Sequence, residues 1–284
     1  MKLVSFTHNN AHRYGILQDS GVTDLTLHFP QYPTLRSFLE VLENIPPSTL
    51  TTLEINYPLD DITFLPLIPD PQKILCVGMN YQEKRLEFDE EDPAPTLFVR
   101  FPDSQCGHMG DIIKPAASQE FDYEGELALV IGKGGRNISA DNALQHIAGY
   151  SCYMDGSARD WQHAWFTAGK NWPSTGGFGP WLVTRDEIKD PNTLCIKTRL
   201  NGVEVQNENT INMIHSVPEL IAYISTFCQL VPGDVILTGS PGGVGKKRTP
   251  PLFLKDGDTI EVEIEKIGCL YNRIIDEIPE NIAI

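Results

Sequence analysis

Hydrophobic and polar positions alternate with a period of two over many short stretches of this chain. Ile260, Val262 and Ile264 are interleaved with Glu261, Glu263 and Glu265, and such alternation sends successive side chains to opposite faces of a strand. One face of residues 259–264 is therefore expected in a core, with the glutamates in water. Similar patterns predict strands at residues 2–8, 13–19, 73–77, 96–101, 124–131, 194–200 and 235–238. Asn201-Gly202 between two apolar runs predicts a hairpin turn, because both central residues of the primed turn need positive φ. Helical spacing is rarer and is found at residues 34–44. Ser216-Val217-Pro218-Glu219 reads as a capping box, followed by Leu220, Ile221, Ile224, Phe227 and Cys228 on one stripe. Strands and helices do not alternate regularly, so the fold class is α+β and β-rich, with antiparallel or mixed sheets. The proline-rich stretch 65–71 predicts a boundary between a small β-rich N-terminal domain, 1–70, and a main domain, 71–284.

A chain of 284 residues suits this division of one large β-rich domain and one appendage. With 41% hydrophobic and 21% charged residues and no low-complexity stretch, a disordered chain is excluded. The formal charge of −16 disfavours nucleic acid and anionic membranes as partners, since both require a basic surface. It does not exclude an anionic substrate, because buried cations or a metal ion can dominate the field inside a cleft. The six cysteines include no CxxC pair, and no stretch has the apolar length of a signal peptide or a membrane span. Reduced thiols and a cytoplasmic location are the expectation.

The chemistry concentrates after residue 120. In Asp122-Tyr123-Glu124-Gly125-Glu126, two carboxylates two positions apart precede the apolar run Leu127 to Ile131. On a strand Glu124 and Glu126 share a face, and side by side they repel by about 1 kcal/mol or more unless a cation lies between them. Asp155 follows the stretch 149–154, which can run as a strand beside the first. Three carboxylates without a His or Cys cluster suit Mg²⁺ or Mn²⁺ better than Zn²⁺. Taken alone, the ExE pair would also describe an ordinary polar strand edge.

Further signals appear in order: Gly156-Ser157-Ala158-Arg159-Asp160-Trp161-Gln162, Gly169-Lys170-Asn171, Gly179-Pro180-Trp181, Pro232-Gly233-Asp234 and Thr238-Gly239-Ser240-Pro241-Gly242-Gly243. With Asp122 to Leu127, Asn201-Gly202 and Leu254-Lys255-Asp256-Gly257-Asp258, they make residues 73–275 resemble the fumarylacetoacetate hydrolase family. The resemblance implies a mixed β-sandwich roll in which Glu124, Glu126 and Asp155 hold Mg²⁺ or Mn²⁺. It places Lys170 near the metal, where its ammonium can steady an enolate or carboxylate oxygen. It makes Gln162 and Ser240 substrate contacts, with Ser240 standing where many members have threonine. Arg159 either pairs with the substrate carboxylate or braces Asp160 and its loop. A homodimer and a small-molecule 2-oxo or 1,3-dicarbonyl acid substrate are implied in the same way. The glycines after Ser240 are expected to let the backbone approach that substrate. They do not match a phosphate loop, and neither a GxSxG elbow nor an HExxH helix occurs.

One stretch departs from the family pattern. Many members carry N-Y-x-x-H-x-x-E, whose His and Glu form a dyad that positions or deprotonates water. Asn80 to Glu87 keeps the glutamate, Glu87, as a catalytic candidate and places Lys84 at the histidine. Met79 and Arg100 also occupy positions where other members have arginine and lysine. A charged lysine cannot accept a proton. Alternatively, Lys84 and Arg85 are solvated helix residues and the base lies elsewhere, with His108 and His163 as candidates. The expected activity is metal-dependent C–C hydrolysis of an acylpyruvate-type substrate, or decarboxylation. A 2-oxo or enol acid tautomerase or isomerase is the alternative, and a non-catalytic ligand-binding homologue the second alternative.

Overall fold

The computed structural model describes residues 1–88 and 94–278. Residues 89–93 and 279–284 of the expected main domain lie outside the described residues. The path of the larger, eleven-stranded sheet runs Gly21–Asp24, Ala11–Gln18, Lys2–His8, Gly176–Thr184, Ile147–Asp155, Gly125–Ile131, Val235–Leu237, Ile74–Gly78 and Thr96–Arg100. Two short strands, Thr63–Phe64 and Gln105–Cys106, pair off that path. A five-stranded sheet runs Val203–Asn209, Cys195–Leu200, Thr259–Ile264, Gly268–Asp276 and Asp111–Lys114. Both sheets are mixed, since Val235–Leu237 runs parallel to Ile74–Gly78 and Gly268–Asp276 parallel to Asp111–Lys114. The N-terminal strands extend the large sheet, with Leu3 opposite Leu182.

Gly125–Ile131 lies at the centre and is buried at every position. Leu127 and Leu129 join Ile196, Val262 and Leu270 of the small sheet in one core. Ala128 and Val130 point the other way, into a second core with Leu3, Phe38, Leu39 and Tyr153. Burial on both faces explains why this strand reads as a continuous apolar run. The period of two also places Glu126 and Glu124 in register with Ala128 and Val130, at the mouth of the second core.

The alternating stretch forms Thr259–Ile264, with Ile260, Val262 and Ile264 buried. Asn201 and Gly202 turn the hairpin at φ 51° and 76°, joining Leu200 to Val203. Helix Val217–Phe227 starts at the expected capping box, where Glu219 Oε2 accepts from Ser216 N at 2.7 Å. Its stripe ends sooner than expected. Phe227 is 58% exposed and lies edge-on to Tyr223 on the outer face, because at 100° per residue it falls at the edge of the stripe that buries Val217, Leu220, Ile221 and Ile224. The helical stretch 34–44 divides into Leu35–Leu39 and a tight turn, Leu42–Asn44. No helix among the described residues is long and apolar enough to cross a membrane.

Gly176–Thr184 is a nine-residue strand that the polar pattern does not announce. Its glycines serve close packing, not turning. A Cβ on Gly177 would lie 2.4 Å from Asn272 Oδ1, so a larger residue there would push the two sheets apart.

Candidate metal centre and its ring of cations

Glu124 stands just before the central strand and Glu126 on it, while Asp155 ends the neighbouring strand. The Asp155 amide donates to the Glu124 carbonyl at 2.8 Å, which holds the two strand ends together. One oxygen from each of the three carboxylates lies within 4.8 Å of the others, and all three side chains are buried.

Cations surround them. Lys170 donates to Glu124 Oε2 at 2.6 Å and to Asp155 Oδ2. Arg100 donates to Asp155 Oδ1 at 2.6 Å, and Arg159 to Glu124 Oε1 at 2.7 Å and Asp122 Oδ2 at 2.9 Å. Lys84 donates to Glu124 Oε1 and to the Ser240 hydroxyl at 2.6 Å. The buried charged residues of the described chain are these four cations, Asp122, Glu124, Glu126 and Asp155, plus Asp24 and Asp234 elsewhere. Buried charge is thus almost confined to one centre, where desolvation makes each interaction strong.

The three carboxylates are not equivalent. Burial would raise the Glu124 carboxyl, but Arg159, Lys170 and Lys84 hold it well below the usual carboxylate range. Burial, then Asp155 and Glu124, push the Glu126 carboxyl well above that range. Burial alone would lower the Lys170 ammonium, but Asp155 and Glu124 raise it, so it stays charged. Glu126 forms no ion pair among the described residues; its Oε2 accepts from the Gly239 amide at 2.8 Å. A set of three hard oxygen donors with one carboxylate lacking a counter-charge fits a divalent ion such as Mg²⁺ or Mn²⁺.

The remaining expected residues are placed as follows. Gln162 accepts from Arg159 Nη1 at 3.3 Å, and its own buried amide nitrogen has no partner among the described residues. With Lys84, Arg159, Lys170 and the apolar Met79, Phe98 and Phe166, it lines one small cavity over Glu124 and Glu126. Ser240 is fully buried against Lys84. Glu87 reaches away from the carboxylates: Oε1 accepts from the Gly243 amide at 2.8 Å, and Oε2 is buried without a partner among the described residues.

Several expectations are corrected. Lys84 is not a solvated helix residue, being 3% exposed; Glu124 compensates its charge. Arg159 does not brace Asp160, which accepts instead from Ser118 Oγ and the Gln119 amide. His108 is packed edge-on to Phe64, its Nδ1 accepting from the Tyr271 amide at 3.1 Å, and His163 is exposed. The glycine-rich loop turns its amides to the protein's own acids: Gly239 to Glu126, Gly243 to Glu87, and Gly245 and Lys246 to Asp122. Arg100 and Asp122 escaped the sequence reading as site residues. A lone arginine closing the apolar run 96–99 was the available signal for the first.

Fold and centre together describe a β-rich enzyme built around a buried acidic cluster balanced by cations. The chain belongs to the fumarylacetoacetate hydrolase family, whose model, fumarylacetoacetate (FAA) hydrolase C-terminal, matches residues 73–275. It is 42% identical to the mitochondrial oxaloacetate tautomerase fahd2 of Xenopus laevis over 289 residues, covering 97% of this chain and 90% of that protein. The fumarylacetoacetate hydrolase of Exiguobacterium antarcticum superposes with a TM-score of 0.83 at 34% identity, covering 98% of this chain and 100% of that one. The maleylpyruvate hydrolase of Sphingobium sp. SYK-6, in complex with manganese(II) and pyruvate, gives 0.83 at 26% identity with the same coverage.

Proposed function

We propose that the protein is a divalent-metal-dependent tautomerase that interconverts the keto and enol forms of a 2-oxo acid of the oxaloacetate type. The observation that carries this reading is the Lys84 ammonium, buried between Glu124 and Ser240 where the family pattern has the histidine of a water-activating dyad. An ammonium has no lone pair with which to deprotonate water, so hydrolysis through that dyad loses its base. Tautomerisation needs no water nucleophile. The relatives named oxaloacetate tautomerase support the same choice over C–C hydrolysis and decarboxylation.

Glu124, Glu126 and Asp155 would hold a divalent ion, which would supply Lewis-acid stabilisation of negative charge developing on the substrate. Lys170, fixed by two carboxylates, presents a cation to the oxygen on which negative charge develops. Gln162 offers its unpartnered amide N–H to a substrate oxygen and so fixes orientation. Phe98 and Phe166 keep water from the cavity. Glu87, on the helix that also carries Lys84, accepts from the Gly243 amide outside the cavity, and we assign it the positioning of that helix and loop, not the proton taken from C3.

The reading includes a homodimer, as the family resemblance implies, and Mg²⁺ or Mn²⁺ as the ion. All six cysteines are free, which suits a reducing compartment such as the cytoplasm; relatives named oxaloacetate tautomerase are described as mitochondrial. Enol-to-keto conversion of oxaloacetate followed by ultraviolet absorbance tests the reading, with acetylpyruvate cleavage assayed alongside. Accelerated tautomerisation without cleavage is expected. Cleavage as the faster reaction would overturn it in favour of a hydrolase.

A further inference from the structure

The four cations Lys84, Arg100, Arg159 and Lys170 face four carboxylates, Asp122, Glu124, Glu126 and Asp155. With the three clustered acids ionised, as a bound divalent ion requires, and Asp122 paired with Arg159, protein charges cancel and the ion's two positive charges are left over. A monoanionic 2-oxo acid would neutralise one of them. A dianionic one would neutralise both, and in a water-poor site a residual charge is expensive.

The four cations are not equally able to meet a second anionic group. Arg100 spends its whole guanidinium on Asp155, Ser104, Gly156 and Thr175, and Arg159 is turned to two carboxylates, Asp122 and Glu124, and to Gln162. Lys170 bridges Glu124 and Asp155. Lys84 and Lys170 each meet two acceptors among the described residues, so each ammonium keeps one N–H to offer; the second partner of Lys84 is a neutral hydroxyl, which leaves its charge the less fully met. It lines the small cavity together with Lys170, and the two ammoniums hold opposite oxygens of Glu124. Two cations set on either side of one ligand carboxylate suit an acid charged at both ends.

We infer that Lys84 seats the second carboxylate of a dianionic 2-oxo acid and is the residue that selects for charge at the substrate's far end. The inference rests on the proposed reading of the site as one for 2-oxo acids. A histidine in this position would carry no fixed charge at neutral pH; lysine does, which gives the departure from the family pattern a purpose in selection.

Pyruvate and oxaloacetate differ by this one carboxylate, and calorimetric titration of each into the manganese-loaded protein measures its worth. The wild type should bind oxaloacetate at least about tenfold more tightly than pyruvate, the ratio expected of one charge-assisted hydrogen bond. In Lys84→Met the ratio should fall to within about threefold, and Lys84→Arg should restore much of it. An unchanged ratio in Lys84→Met would overturn the inference. The 4-methyl ester of oxaloacetate supplies a check that needs no variant: on the wild type it should bind like pyruvate, and binding as tight as oxaloacetate's would overturn it. Turnover of oxaloacetate with an unaltered ratio would remove the Lys84 seat and leave the tautomerase reading standing. The expected ratios without turnover would do the reverse.

Discussion

Lys170 and Lys84 share Glu124, yet their positions predict different kinetic roles. Lys170 is held by two of the three clustered acids and faces the oxygen where charge develops, so Lys170→Ala should abolish turnover, lowering kcat by about a thousandfold. Lys84→Ala should act mainly on substrate capture, raising KM with a smaller fall in kcat. Steady-state kinetics of both variants on oxaloacetate checks the ranking, and a larger fall in kcat for Lys84→Ala would reverse it. Glu126 has no cation of its own, so Glu126→Ala should remove the single manganese-binding event seen by calorimetry. Equal affinity in that variant would remove Glu126 from the ligand set. Strand periodicity put Glu124 and Glu126 on one face in the sequence, and the family resemblance joined Asp155 to them as a ligand set. The state of Lys84 was not legible, since exposure depends on what packs over the helix: Ser240 lies 156 residues away.

The loop after Val235–Leu237 acts as a clasp over the centre. Its amides reach Glu126, Glu87 and Asp122, tying the central strand to helix Gln82–Phe88. Gly245 is the tight point, where a Cβ would lie 1.9 Å from the Leu252 carbonyl. Gly245→Ala should therefore destabilise the fold by roughly 2 kcal/mol, read as a lower urea midpoint with unchanged m-value. Wild-type stability in this variant would show that the clasp relaxes freely. Elements with strong local patterns matched the sequence closely, as Lys2–His8, Thr259–Ile264 and the Ser216-capped helix show. Gly176–Thr184 did not, because three glycines erase the alternation and only the opposing sheet reveals their purpose.

Across the whole molecule, two sheets and two cores converge on the strand that carries Glu126, and protonation far from the centre bears on that assembly. Burial lowers His108 from 6.5 to about 4, and its Nδ1 must stay unprotonated to accept from Tyr271. The unfolded chain takes up this proton at higher pH than the folded one. The associated stability is therefore full above about pH 6.5 and lost as the pH falls through about 4, amounting to about 3 kcal/mol at most. Urea titrations across that window should show the decline, and His108→Gln should flatten it; an equal slope in the variant would place the effect elsewhere. The central claim is metal-dependent tautomerisation at the Glu124, Glu126 and Asp155 cluster. The direct measurement is the rate of oxaloacetate enol-to-keto conversion by the purified protein after chelation, and again after adding Mg²⁺ or Mn²⁺. The account predicts that activity vanishes with the chelator, returns with the ion, and does not return in Glu126→Ala. Full activity in the chelated protein would contradict it.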